Sequence, residues 1–380
     1  MHLGVDLEQF VCDPYGSGIQ RVLQYIARSW PHDAATADFV VPYRGRHALL
    51  SAQQAFEVVS VAFEPMPPEA DLRRRVATCI EAFDPVVVRA GELLALFDAW
   101  LLPEVSYLPT VLERFELLQR CIPTAMIGYD ALPMTEPANY RFKPGASAWV
   151  SEYFRRLATA DAVICISDYS RDSILGRLRR DPARVTTVAS PGGDHVAVCA
   201  GRPPHRPRFV RLGTLEARKH PREILAGFRR AAARGLDAEL VFIGSASASD
   251  AAINADVAQA TREGIGVTWI EGASDAEVRE HVSAASAFLS IGVEGYGIPV
   301  LEAIRWGTPV LFDGIQPAAE LMLGRGAHRI EAMSEEGMAQ AFLHWSSTEA
   351  LDGLRAELDP AGVPTWAEFT HRLVAAIPVV

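Results

Sequence analysis

Residues 292–312 read "GVEGYGIPVLEAIRWGTPVLF". The apolar run just before them, "SAFLSIG", predicts a buried strand. "PVLEAIRWG" predicts a short helix closed by Gly307, and "TPVLFDG" predicts the next strand. The loop between is "VEGYG". Pro299 suits the first helical turn. Gly295 and Gly297 let backbone come close to a ligand, because no Cβ stands in the way. The free N–H groups at the helix start, with the positive end of the dipole behind them, make an anion site suited to phosphate. Glu302, one turn in, would repel a phosphate on the helix axis and suits the two hydroxyls of a vicinal diol, as in a ribose. Glu294 can hold sugar hydroxyls in the same way. The spacing fits a nucleotide linked to a sugar. It also fits a capped βα turn with two exposed acids, and the stretch alone does not choose.

Outward from this unit, short apolar runs alternate with amphipathic stretches. Strands are expected at "RFVRLGT", "AELVFIG" and "VTWIEG", with helices at "PREILAGFRRAAARG" and "SDAEVREHVSAA". Earlier in the chain, strands are expected at "HLGVDLEQF", "DFVVPY", "FEVVSVAF", "PVVVRAG", "TAMIGYD", "DAVICIS" and "VTTVAS". Helices are expected at "IQRVLQYIARSW", "EADLRRRVATCIEAF" and "ASAWVSEYFRRLATA". Several strands are apolar throughout, as strands covered on both faces are. Such alternation predicts an α/β fold of doubly wound parallel sheets. The Pro- and Arg-rich "CAGRPPHRPRF", residues 199–209, reads as a linker. Two Rossmann-like domains are therefore expected, 1–198 and 199–364, facing across a cleft. The amphipathic "TWAEFTHRLVAAI" within 365–380 could rejoin the first.

Composition excludes other classes. The chain has 380 residues, 49% hydrophobic and 22% charged, as soluble globular proteins do. No apolar run reaches about 20 residues, so no transmembrane helix is expected. The N-terminus lacks the basic and long apolar regions of a signal peptide and reads as a first strand; a cytoplasmic protein is expected, its scattered cysteines suiting a reducing compartment. The net charge of −11 argues against nucleic-acid binding. Two basic runs, Arg73–Arg75 and Arg177, Arg179, Arg180, Arg184, suggest solvated helix faces, with peripheral membrane contact as the alternative. Five scattered cysteines without a CxxC read as buried free thiols. No cluster has metal-site spacing.

Three further stretches carry candidate chemistry. In "RLGTLEARKHP", residues 211–221, a strand ends at Gly213 and a polar loop presents Arg218 and Lys219 before a helix. Two adjacent cations at a strand's carboxyl end can neutralise a departing diphosphate, or form an ordinary basic turn. Lys143 and Lys219 are the chain's only lysines. In "CDPYGSGIQRVLQYIARSW", residues 12–30, Gly16 and Gly18 make a turn that suits phosphate approach or tight βα packing. In "IGYDALPMTEPANYRF", Asp130 stands at a strand end as a site candidate or a turn cap. Ser167 reads as a helix N-cap.

"EGYGIPVLEA" resembles the E-x7-E signature of the retaining glycosyltransferases of GT-B fold, family 4 (glycosyl transferases group 1). "LGTLEARKHP" is similar to that family's phosphate-contacting loop. "IGYDALP", "DAVICISDYSRDSI", "VTTVASPGGDHV" and "VTWIEGASDAEVREHVSAASAFLS" follow in the family's order. The resemblance covers most of residues 1–330. It implies a sugar transferase with a nucleoside-diphosphate-sugar donor and a glycan, glycolipid or small-molecule acceptor. Glu302 would hold the ribose. Glu294, with backbone N–H groups of Gly295, Tyr296, Gly297, Ile298 and Pro299's neighbours, would hold the sugar. Arg218 and Lys219 would hold the diphosphate beside Gly213. Gly18 would approach donor and acceptor, and Ile270 and Glu271 would lie against the base. Arg218, Lys219, Glu294 and Asp130 are the expected catalytic residues. The family commonly has His where this chain has Tyr129. Retention of configuration rests on the resemblance alone. With two cations at the diphosphate and no convincing DxD, no metal and no cofactor are expected. A degenerate nucleotide-binding partner subunit and a sugar-nucleotide epimerase are the alternatives.

Overall fold

The computed structural model describes residues 1–64, 71–135, 146–201, 204–331 and 334–378. Lys143 and the prolines of the loop beyond residue 135 lie outside these residues. The chain divides into two compact units. The first comprises Met1–Ala131, Phe142–Pro191 and Thr365–Val380; the second comprises Leu132–Arg141 and Gly192–Pro364.

The first unit holds strands β1 (His2–Asp6), β2 (Thr36–Tyr43), β3 (Arg46–Leu50), β4 (Val86–Val88), β5 (Ala99–Leu102), β6 (Thr124–Gly128), β7 (Ala162–Cys165) and β8 (Val185–Val188). They form one sheet in the order β4-β3-β2-β1-β5-β6-β7-β8. Five of its strand pairs are parallel, but β3 runs antiparallel to both β2 and β4. The expectation of a wholly parallel sheet is therefore corrected at this edge. Tyr43 faces Arg46 across a two-residue turn, with Arg44 at φ 47° and Gly45 at φ 74°. Two successive left-handed residues match the twist of a hairpin. "VPYRGRHALLSAQQ" is thus mostly β2, its turn and β3.

"FEVVSVAF" is not a strand. It lies in the helix Ala52–Ser60 and the 3-10 turn Val61–Phe63. Ser51 Oγ accepts from the Gln54 N–H while the Gln54 side chain returns a bond to Ser51, a capping box that starts the helix. Ala52, Ala55, Val58 and Val59 are buried at helical spacing. Packing outweighs the β preference of the valines.

Arg73, Arg74, Arg177 and Arg179 are exposed, as the solvated-face reading expects, whereas Arg180 is half-buried. Arg73 pairs with Asp13 at 3.1 Å. Arg180 donates to the carbonyls of Leu157, Ala158 and Val185, bracing the end of the helix Ala146–Thr159. Burial lowers its pKa to about 10. Of the cysteines only Cys165 is buried, and Cys121 is exposed, which corrects the expectation of five buried thiols. The C-terminal helix Trp366–Ala375 is part of the first unit. Trp366 stacks on Tyr25 at 5.1 Å, and Thr370 Oγ1 donates to the Ser29 carbonyl at 2.6 Å.

The second unit holds β9 (Arg208–Leu212), β10 (Glu239–Ile243), β11 (Val267–Ile270), β12 (Ala287–Val293), β13 (Val310–Ile315) and β14 (Ala327–Arg329). Every pairing is parallel, in the order β11-β10-β9-β12-β13-β14. Phe209, Phe242 and Leu289 from the strands pack with Phe228 and Phe342 from the helices Pro221–Ala233 and Glu335–His344. The chain joins this unit at Gly192, earlier than the expected 198/199 boundary. The Gly193 N–H donates to the Pro364 carbonyl at 2.9 Å, and a Cβ on Gly193 would stand 2.5 Å from Leu301. Strand order reverses between β9 and β12, and ligands of open α/β sheets bind outside the carboxyl ends at such a switch point. No described helix is long and apolar enough to cross a membrane.

Candidate functional site

Two loops meet at the second unit's switch point. One follows β9 and carries the 3-10 turn Ala217–Lys219. The other follows β12 and carries Glu294. They approach so closely that Gly292, at φ +103°, has no room for a side chain; a Cβ would lie 2.0 Å from the Arg218 carbonyl oxygen. Gly213, at φ +118°, makes the corresponding turn after β9, and its Cβ would lie 2.9 Å from Lys219 Nζ. Gly292→Ala should therefore destabilise the protein by at least the ~1–3 kcal/mol of a strained backbone residue. A thermal melt unchanged within a degree would contradict this reading of the contact.

Across that contact Lys219 Nζ reaches Glu294 Oε1 at 2.8 Å. Arg218 Nη1 reaches Glu294 Oε2 at 3.2 Å and also donates to the Val293 carbonyl, while its Nη2 reaches Glu216 at 2.7 Å. Burial pushes the Glu294 carboxyl up, but Lys219 and Arg218 outweigh it and hold the pKa at about 2. Burial lowers Lys219, and Glu294 partly restores it. Lys219 remains 15% exposed and Arg218 13%.

Arg211, in the middle of β9, was not foreseen. It is buried, and Nη1 donates to the carbonyls of Gly213 and Thr214, shaping the loop from beneath. Its Nη2 is buried without a hydrogen-bond partner. Burial lowers its pKa to about 10 against the pull of Glu294 and Glu216. Three cations thus face two carboxylates, which leaves one positive charge in excess at a partly open loop. The available signal was an arginine between valine and leucine inside a short strand.

The helix Ile298–Arg305 starts with Gly297 in the left-handed region at φ +105° and Pro299 in its first turn. The Tyr296 side chain is buried, and its carbonyl accepts from the Ala318 N–H at 2.9 Å. Glu302, one turn in, is not a solvated acid. His195 Nε2 lies 2.7 Å from its Oε1, with the two side chains 3% and 13% exposed. His195 is a second unforeseen residue, and it fixes the orientation of this carboxylate. Ile270 closes β11 and Glu271 follows it, accepting from the Ala246 N–H at 3.3 Å. All these residues stand at the carboxyl edge of one parallel sheet.

The remaining expected residues belong to the first unit. Its sheet reverses order between β1 and β5, so its switch point lies between the loops that follow them. Gly18 opens the helix Gly18–Arg28 behind the cap of Ser17, whose Oγ accepts from the Gln20 N–H at 3.2 Å. A Cβ on Gly18 would meet nothing within 4 Å, whereas one on Gly16, at φ +66°, would lie 2.8 Å from the Ala62 carbonyl oxygen. Tight packing accounts for Gly16 and not for Gly18. Asp130 follows β6. Tyr129, beside it, is buried and donates its hydroxyl to the Pro103 carbonyl at 2.8 Å. Ser167 caps the helix Asp168–Arg177, accepting from the Ser170 N–H at 3.0 Å. Where β1 ends, Arg114 is held between Asp6 and Glu8 at 2.6 Å from each.

Residues 200–324 match the family model described as glycosyl transferases group 1. No curated protein matches the chain. Among solved structures, HepE of Anabaena, in complex with UDP and glucose, aligns with a TM-score of 0.64 at 13% identity, covering 99% of this chain and 98% of that one. The lipopolysaccharide outer core galactosyltransferase WaaB aligns with a TM-score of 0.61 at 14% identity, over 99% of each chain. Sucrose-phosphate synthase of Thermosynechococcus elongatus aligns with a TM-score of 0.61 at 14% identity, over 98% of this chain and 97% of that one. The fold is that of the GT-B glycosyltransferases, with two Rossmann-like α/β units.

Proposed function

We propose that the protein is a glycosyltransferase that moves a sugar from a nucleoside-diphosphate-sugar to a hydroxyl acceptor, with retention of configuration and without a metal ion. The observation that carries this reading is the convergence of Arg218, Lys219 and Glu294 at the second unit's switch point, beside Glu302 on the adjoining helix. In this reading Glu302, oriented by His195, accepts hydrogen bonds from the ribose. Arg218 and Lys219 lie against the diphosphate. As the bond from the anomeric carbon to oxygen breaks, negative charge builds on the leaving phosphate, and prearranged cations stabilise it. Glu294 keeps the two cations in place before the donor arrives, and its carboxylate faces the transferred sugar. The match of residues 200–324 to group 1 glycosyl transferases supports the transferase class. HepE, which binds UDP and glucose, makes UDP-glucose the first donor to try.

The test is release of nucleoside diphosphate from a panel of UDP-, GDP-, dTDP- and ADP-sugars, with and without candidate acceptors. Turnover should require an acceptor and proceed in EDTA at the rate seen in Mg²⁺. Loss of activity in EDTA would overturn the metal-free mechanism. Conversion of the donor without acceptor would identify an epimerase instead.

A further inference from the structure

The first unit's switch point contains a buried carboxyl that the proposed mechanism does not use. Glu104 follows β5 and is 3% exposed, and its Oε2 is buried without a hydrogen-bond partner. Its Oε1 accepts from Gln20 Nε2 at 3.0 Å. Gln20, itself fully buried, makes three further bonds to the loop that follows β1. Its Nε2 donates to the Asp13 carbonyl at 3.1 Å, and its Oε1 accepts from the N–H groups of Tyr15 and Gly16, each at 2.9 Å. One amide therefore joins the loop 13–17, which follows β1 after the short helix Glu8–Cys12, to the turn after β5, across the place where strand order reverses. Tyr129 fixes that turn from the other side through the Pro103 carbonyl.

We propose that Glu104 is the positioning residue of the first unit's switch point, holding the 13–17 loop in place through Gln20. An isolated amide in this position can rotate or exchange its two ends; the buried Glu104 acceptor, together with the Asp13 carbonyl, holds the NH₂ end and so fixes the amide's orientation. With Glu104 Oε1 taking the NH₂, the carbonyl end of Gln20 is left for Tyr15 and Gly16. That the braced loop serves sugar transfer rests on the proposed function, but the brace itself does not.

The charge state of Glu104 gives the brace a signature. Burial raises its pKa to about 8, the Gln20 bond lowers it, and Asp13 and Asp6 raise it further. Asp13 faces it from the loop, Asp6 from β1 and Gln20 from the helix; the Tyr15 and Tyr129 phenols are also in its field. The closed loop thus holds a neutral carboxyl that ionises near 4.5 once solvated. Opening releases a proton anywhere between these values, so it becomes easier as pH rises, by up to about tenfold per unit, and levels off above pH ~8.

Hydrogen exchange of the Tyr15 and Gly16 amides, corrected for intrinsic rates, tests this without any substrate. In the wild type, protection should fall between pH 5 and 8 and then flatten. Glu104→Gln keeps an acceptor for Gln20 and cannot ionise, so its protection should be flat with pH and close to the wild-type value at pH 5. Glu104→Leu should lose protection at every pH while the β7 amides stay protected. In a transferase assay at pH 7, Glu104→Gln should remain within about twofold of wild-type kcat/KM, whereas Glu104→Leu should lose about tenfold or more. A wild-type slope that persists in Glu104→Gln, or a Glu104→Leu loop as protected as wild type, would overturn the proposal. Flat exchange in the wild type refutes the brace; the expected exchange without any transfer activity refutes the transferase reading alone.

Discussion

Lys219→Ala is expected to lower kcat by about a hundred- to a thousand-fold if the proposed transfer is correct, the ~2.7–4 kcal/mol that accompanies loss of one donor aimed at developing charge. Lys219 stands at the carboxyl end of β9, at the switch point, with Nζ 2.8 Å from Glu294. Burial makes its charge costly, and the fold retains it by supplying a carboxylate held at a pKa of about 2. A structural ion pair alone would not need a second cation, yet Arg218 shares the same carboxylate. In the proposed transfer, charge appearing on a departing phosphate would meet a pair already held in place, with no reorganisation needed. Loss of Lys219 leaves Glu294 with Arg218, so the loop should persist, and a thermal melt run alongside the assay separates the two effects. A fall in kcat below tenfold, with folding intact, would remove Lys219 from that role.

Glu302→Ala should weaken nucleoside-diphosphate binding by at least about a hundredfold, since two hydrogen bonds to a charged acceptor are worth ~1.5–3 kcal/mol each. The effect should be on affinity for the nucleotide itself, with or without its sugar. His195→Ala should act in the same direction but less, because it loosens the carboxylate without removing it. Binding of free UDP or GDP to Glu302→Ala at wild-type strength would contradict the ribose assignment.

The second unit was the more legible half of the chain. Its strands are apolar runs of parallel-sheet type, and its two site loops are punctuated by glycines, of which Gly213, Gly292 and Gly297 take positive φ. The first unit was read less well because local signals compete there. The valines of "FEVVSVAF" suggest a strand, while the capping box at Ser51 and Gln54, equally present in the sequence, sets a helix. β5 has only four residues and merges with the leucines around it. Arg211, His195, Gln20 and Glu104 were missed for a different reason. Their roles arise from burial and from partners distant in sequence, as when Glu302 meets His195 or Glu104 meets Gln20. No local spacing encodes such pairs.

Calorimetric titration of UDP, GDP, dTDP and ADP into the wild type and Glu302→Ala, each with and without Mg²⁺, tests the central claim most directly. The account predicts that one nucleotide binds the wild type with micromolar affinity, indifferent to Mg²⁺, and that this binding is lost in Glu302→Ala. Failure of all four to bind the wild type, or equal binding by the variant, would contradict it.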